Sequence, residues 1–246
     1  MGRAVPDVTP DGMSSPDGRP AWRVLLLCGA SGAGKSRVSY PLARHYGTPI
    51  VEVDDLVEAL QAMTTPSQQP LLHYWRTHPE AAARLAPADI VDLQMAIAEV
   101  LIPAVDAVVG NHLETDTPVI VEGDYLLPAF ALRDSFAGVP AAGRVAAVVI
   151  REPDEDRLVE NYRHREPDHG EQRHRARVSV LHGERLAAQA AEAGVPVVAA
   201  RPWADVARRV IAALDVPVSS EERSAARLTA PAGLTAPAGL TRSLTA

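Results

Sequence analysis

The chain is short of cysteine, aromatic residues and positive charge, and each shortage closes off a class of function. A lone cysteine, Cys28, leaves no disulfide to form within the chain, and in the middle of an apolar run it reads as a small core filler. Aromatic residues make up 4% of the sequence, too few for the stacking platforms that hold single strands. The 24 basic residues face 31 acidic ones, a net charge of −7. That balance argues against nucleic acid as the main partner, since phosphate backbones reward a basic surface. No apolar run approaches the roughly 20 residues of a membrane span, and no signal-peptide core stands at the start; a cytoplasmic protein with no membrane partner is expected. The scarcest residue is lysine: Lys35 is the only one, against 23 arginines. A composition that uses arginine everywhere else keeps lysine where a compact point charge, not a planar fork, is needed.

Lys35 lies in Gly29-Ala30-Ser31-Gly32-Ala33-Gly34-Lys35-Ser36, a full match to G-x-x-x-x-G-K-[ST] directly behind the apolar run Val24 to Cys28. Glycines let successive backbone N–H groups turn inward around phosphate oxygens, an approach that a Cβ blocks. Lys35 is then placed to put its charge on the β- and γ-phosphates of ATP, and Ser36 to give its hydroxyl to Mg²⁺. The helix that starts here aims its positive end at the same anion.

At 246 residues with 47% apolar content, the chain can bury a core as one domain. Residues 1–21 hold prolines, glycines and aspartates without apolar periodicity and read as a disordered leader. The domain is expected over 22–215. Arg23 to Cys28 reads as the first strand, and the helix behind the loop ends at Gly47, bent or loosened at Pro41. Thr48 to Val53 is a second strand running into Asp54 and Asp55. In an open parallel sheet the strands' C-terminal ends gather on one edge with the ligand, so both aspartates are expected to face the phosphates, with a helix N-cap as the alternative role. From Met63 to Asn111 the pattern is helical with interruptions at Pro66, Pro70, Pro79, Pro87 and Pro103, too long for a simple crossover. A helical substrate lobe over about 56–115 is expected, with Tyr74 and Trp75, beside His73 and Arg76, either lining its pocket or packing its interior.

Pro118 to Asp124 is a β-branched strand ending in acids, the form of a Walker B element. Glu122 becomes a candidate for holding Mg²⁺-bound water or orienting the acceptor, and Asp124 a candidate for contacting the substrate. After a fourth strand, Arg144 to Ile150, the segment 157–180 is rich in arginine. Its arginines, Arg157, Arg163, Arg165, Arg173, Arg175 and Arg177, suit a lid that neutralises charge as it develops on the transferred group, an ordinary solvated helical face being the alternative. The histidines at 164, 169, 174 and 182 have no zinc-motif spacing. A fifth strand, Val195 to Ala200, is followed by Arg201 and Trp203, which are placed to touch adenine, Trp203 being equally suited to anchor the last helix. Residues 216–246 carry Leu-Thr-Ala-Pro-Ala-Gly twice and read as a low-complexity tail.

With these segments in place, the chain resembles small P-loop metabolite kinases of the nucleoside-monophosphate-kinase type, most nearly 2-phosphoglycerate kinase. Zeta toxins and chloramphenicol phosphotransferases carry similar segments. The resemblance rests on Gly29 to Ser36, Val53-Asp54-Asp55-Leu56 and Val121-Glu122-Gly123-Asp124-Tyr125-Leu126-Leu127-Pro128. It implies an α/β three-layer P-loop fold with a five-stranded parallel sheet in the order 2-3-1-4-5. It also implies Asp54 as the carboxylate that accepts the acceptor's hydroxyl proton and as a second candidate ligand for Mg²⁺. Where 2-phosphoglycerate kinases usually have a histidine after Glu-Gly, this chain has Asp124, and the added negative charge counts against an acidic substrate.

The expected function is an ATP-dependent kinase acting on a hydroxyl of a small molecule. A phosphotransferase acting on an antibiotic or nucleotide sugar is one alternative. A nucleotide-binding switch is another, although no Asn-Lys-x-Asp element for guanine exists. Oligomeric state is open between monomer and homodimer.

Overall fold

In the computed structural model the described residues run from 20 to 215, so the tail beyond 215 and all but the end of the leader lie outside them. In chain order the elements are β1 (Val24–Cys28), α1 (Ser36–Tyr46), β2 (Ile50–Glu52), α2 (Val53–Met63), α3 (Tyr74–Thr77), α4 (Ala81–Arg84), α5 (Pro87–Glu114), β3 (Val119–Gly123), β4 (Ser135–Phe136), β5 (Val139–Pro140), β6 (Val145–Arg151), α6 (Glu155–Arg165), α7 (Arg173–Glu192), β7 (Val197–Ala199) and α8 (Val206–Leu214).

β1 is the centre because its sequence suits no other place. A strand covered on both faces must be apolar on both, and every residue of Val-Leu-Leu-Leu-Cys is buried. Val24, Leu26 and Cys28 enter one core cluster, Leu25 and Leu27 the other. β3 and β6 flank it in parallel, with Cys28 level with Gly123 on one side and Val149 on the other. β2 pairs with β3 and β7 with β6, so the sheet runs β2-β3-β1-β6-β7. Renumbered by its five strands this is 2-3-1-4-5, the order that the resemblance implied.

Helices α5 and α7 cover one face, joined in a single cluster with Leu26, Val121 and Val149. Helices α1 and α8 cover the other, with Leu25, Ile120 and Val148. Because all five strands are parallel, their C-terminal ends share one edge: Cys28, Glu52 and Gly123 lie at nearly the same level. The loops that leave this edge build the site.

Prolines behave differently from the sequence reading. Pro87 starts α5 at its first turn, where its missing N–H leaves no intrahelical bond unmade. Pro41 and Pro103, expected to loosen or interrupt helices, lie inside continuous ones. The ring's fixed φ is already helical, and packing holds the segments through the lost bond: twelve residues of α5 are buried. The 56–115 region is therefore α2, two short helices, and one long helix that belongs to the main core. Among the described residues α5 comes nearest to a membrane span, although it holds no unbroken apolar run of that length. By length and composition it is apolar enough to cross one, and half of its most apolar window is buried within this fold; the polar residues Asp92, Gln94 and Glu99 had concealed it as a run. The β4–β5 hairpin was not expected.

Ile97, 1% exposed on α5, tests the claim that α5 belongs to the core. Ile97→Ala is expected to lower unfolding stability by about 2–5 kcal/mol, the range for a large-to-small change at a site that cannot collapse, as read by urea denaturation; a loss under 1 kcal/mol contradicts it.

Candidate active site

The loop from Gly29 to Ser36 leaves β1 and enters α1. Gly32 and Gly34 have φ of 73° and 93°, backbone that side chains rarely adopt. Both also yield their missing side-chain space to aromatic rings. A Cβ at 32 would stand 2.9 Å from the Tyr162 ring, and one at 34 would collide with Trp203. α1 then begins at Ser36, with Lys35 as its N-cap and no side-chain cap bond, a helix N-terminus of the kind that favours an anion. α6, by contrast, is capped by Asp154, whose carboxylate accepts from the N–H of Asp156 at 3.0 Å and of Arg157 at 3.2 Å.

Lys35 is 9% exposed. Its ammonium pairs with Asp124 and donates to the Ala30 carbonyl at 3.3 Å. Burial alone lowers the pKa of an amine, but the charges of Asp124, Glu122 and Asp54 outweigh it and hold Lys35 above its ordinary value. The ammonium is charged at any physiological pH. The neighbouring Ser36 hydroxyl donates to Glu122 Oε1 at 3.0 Å, and Glu122 is buried at the end of β3.

Asp54 lies in the first turn of α2. Neither it nor Asp55 is the helix N-cap, which is Glu52 and makes no side-chain cap bond; the Glu52 carboxylate instead accepts from the Tyr40 hydroxyl at 3.3 Å. Burial and the carboxylates of Asp124, Glu52 and Asp55 raise the pKa of Asp54 against the opposing pull of Lys35.

Two cavities meet at the loop. The first, about 540 Å³, is bordered by Lys35, Ser36, Asp54, Trp75, Glu122 and Asp124. The second, about 750 Å³, lies across the loop and is bordered by Gly34, Arg37, Tyr40, Asn161, Arg201 and Trp203. Gly32, Lys35, Ser36 and Arg165 border both. In the second cavity two guanidinium groups approach the Trp203 ring, Arg201 at 4.7 Å and Arg37 at 5.7 Å from its centroid. Arg201 donates to Asn161 Oδ1 at 3.0 Å, and Asn161 in turn donates to the Gly32 carbonyl at 3.0 Å.

The arginine-rich segment is α6, a turn, and the start of α7, seated over the loop by Tyr162. This tyrosine is fully buried, shares a 2.7 Å hydrogen bond with Ser179, and carries the guanidinium groups of Arg175 and Arg165 on its ring at 4.3 and 5.3 Å. Glu166 ties both arginines, accepting from each at 2.8 Å. Burial works to raise its pKa, but hydrogen bonds from Gln172 and Arg165 and the charge of Arg175 bring it down to about 2. Arg165 thus reaches the site. Arg163 is exposed and borders neither cavity, and Arg157 turns to Asp154 at 3.4 Å and Glu152 at 3.9 Å.

Other residues named from sequence divide in the same way. Gly29, Ala30 and Ala33 are buried within the loop, while Ser31 and Gly32 border the first cavity. Asp55 is exposed beside Asp54 and borders neither cavity. Trp75 lines the first cavity, but Tyr74 does not: it stacks on His78 at 4.5 Å and meets Trp75 edge-on. Sequence reasoning missed Glu52, Gln94, Tyr125 and Ser179, all of which border the first cavity. Glu52 alone had a signal, since a residue one step before Val53 at a strand end shares the level of Glu122. Among the described residues no group of three or more His, Cys, Asp or Glu is placed to hold a metal ion, and His182 is buried, its pKa brought down to about 4 chiefly by that burial.

The profile of the AAA domain family matches residues 24–181, from β1 into α7 and more than half of the chain. The chain belongs to the AAA domain family. No curated protein matches it. Among solved structures this AAA domain is similar to a gluconokinase from Sinorhizobium meliloti 1021, at 21% identity over 80% of this chain and 93% of that one, with a TM-score of 0.42. A sugar kinase from Janibacter sp. HTCC2649 matches at 20% identity over 79% and 95%, TM-score 0.44. Shikimate kinase from Aquifex aeolicus vf5 matches at 16% over 78% and 96%, TM-score 0.32.

The tie through Glu166 makes a local prediction. In Glu166→Gln the paired charge is lost and Arg165 and Arg175 are released, so trypsin at neutral pH is expected to cut at these two arginines severalfold faster than in the parent. Unchanged cleavage would mean that Tyr162 alone seats the segment.

Proposed function

We propose that this chain is an ATP-dependent kinase that moves the γ-phosphoryl group onto a hydroxyl of a small molecule. The observation that carries the reading is the pair of cavities on either side of one phosphate-binding loop, joined at Lys35, Ser36 and Arg165. A nucleotide needs the larger one, with Trp203 and Arg201 for its base. An acceptor needs the other, with a carboxylate facing the transferred group.

The geometry supports a role for each group. The loop's N–H groups and Lys35 hold the β- and γ-phosphates. Ser36 and Glu122 offer a hydroxyl and a buried carboxylate 3.0 Å apart, a pair of hard oxygen donors that fits Mg²⁺. Mg²⁺ is commonly bound through only one or two protein oxygen groups, so this pair would suffice to hold it. When bound there it neutralises charge on the phosphates. Asp54 orients the acceptor hydroxyl and takes its proton; the hydroxyl oxygen bonds to the γ-phosphorus as the bond to the bridging oxygen breaks, leaving ADP. The raised pKa of Asp54 makes it a better base than an ordinary carboxylate. Arg165 and Arg175, the arginines of the segment that border the first cavity, neutralise charge on the group in transit. Arg163 and Arg157, also expected in that segment, do not border the cavity.

The test is acceptor-stimulated ADP release across a metabolite panel. Asp54→Asn is expected to lose about 10²–10⁴-fold in kcat with ATP affinity retained, and Lys35→Ala to lose ATP binding. Since the base must be deprotonated, activity falls as pH drops through the pKa of Asp54, and that limb should lie above the ordinary carboxylate value near 3.8. Slow ATP hydrolysis indifferent to every acceptor and to Asp54→Asn would point instead to a nucleotide switch.

A further inference from the structure

Asp124 has two partners available, and the nucleotide decides between them. Its carboxylate pairs with Lys35 and also borders the first cavity beside Glu52, Asp54 and Trp75. A bound polyphosphate draws the lone ammonium of Lys35 to itself, since several phosphate charges outcompete one carboxylate for it. Asp124 is then left without its counterion. Arg165 and Arg175 are held on the loop side by Glu166 and the Tyr162 ring, with Arg175 3.5 Å from the Ser31 hydroxyl, where they meet the transferred phosphate rather than Asp124. The remaining basic group on the border, His174, is exposed at the start of α7.

The acceptor side of the cavity therefore becomes predominantly anionic. Glu52, Asp54 and Asp124 carry negative charge and already disfavour one another, as the raised pKa of Asp54 records. Gln94 adds a further acceptor, its Oε1 buried without a hydrogen-bond partner. Groups of this kind are satisfied by donors, and clustered carboxylates by a cation. Trp75 supplies an aromatic face that also favours positive charge. A phosphate or carboxylate on the acceptor is repelled by these carboxylates.

Resting on the kinase reading, we propose that the acceptor is a hydroxyl compound bearing a protonated amine and no acidic group, and that Asp124 receives the amine once the nucleotide has taken Lys35. Asp124 is then a specificity residue that also links the two sites. Nucleotide binding uncovers it, so the amine-bearing acceptor binds better after ATP than before, and by reciprocity the acceptor tightens ATP.

The experiment uses the full chain with ATP and Mg²⁺ and acceptors matched in size but differing in charge: amino alcohols and amino sugars, their neutral hydroxyl counterparts, and the corresponding sugar acids. Amine-bearing compounds are expected to stimulate ADP release with kcat/KM at least tenfold above their counterparts. A preference for neutral or acidic members overturns the inference and leaves the kinase reading standing, whereas no stimulation by any compound, with ATP bound, overturns both. Asp124→Asn supplies a second readout. It is expected to raise the KM for the amine acceptor about tenfold, a loss of about 1.4 kcal/mol, while tightening ATP because Lys35 is no longer held. A merely structural role would weaken both together, and that result, or an unchanged acceptor KM, overturns the assignment.

Discussion

A single buried ammonium sets the electrostatics of this protein. Lys35 sits at the end of the loop that leaves the central strand, and acids at or just beyond the ends of β3 and β2 converge on it: Asp124 pairs with it directly, Glu122 and Asp54 act through space. Those carboxylates could not gather in a half-enclosed cavity without a cation among them, because burial and mutual repulsion each favour protonation. The lysine therefore holds together a cluster of acids that any ligand must then reorganise. With every other basic residue an arginine, the requirement is for a compact charge on a flexible stem that can change partners.

The glycines of the loop serve packing as much as they serve an anion. Tyr162 closes over Gly32 and Trp203 over Gly34, so the two arginine-bearing elements of the site, the α6–α7 corner and the segment after β7, rest on positions that tolerate no Cβ. This couples the loop's conformation to both covers at once. Arg165 and Arg175 ride on one ring, Arg37 and Arg201 approach the other. Each cation is thereby aimed without a long side chain left free to wander. One covering ring, Tyr162, is fully buried, and the other, Trp203, packs against the core.

Much of the fold was legible along the chain. Uninterrupted apolar stretches such as Val24 to Cys28 admit few structures other than strands covered on both faces, and acids at the ends of two of them pointed to one edge of a parallel sheet. Prolines were the main source of error. Pro41 and Pro103 read locally as breaks, yet packing against the sheet carries both helices through them, a contribution that no window of sequence contains. Within the site, residues attached to a recognisable motif were legible: Lys35, Ser36, Asp54, Glu122 and Asp124 all reach the first cavity. The lid arginines were legible as a group but not one by one, because on a helix three or four positions decide whether a guanidinium faces the loop or solvent, and Arg163 and Arg165 differ by two.

The order of apolar runs, the glycine-lysine loop and the strand-end carboxylates were written in the sequence, since each depends on the chemistry of a few adjacent residues. Which residues form the two cavities was decided by the tertiary structure alone. Trp75, Gln94 and Arg175 come from three separate helices and meet the loop only because the sheet gathers its C-terminal ends on one edge and stacks those helices over it. Proximity between such distant positions follows from packing angles and register, which belong to the whole fold and to no segment of it.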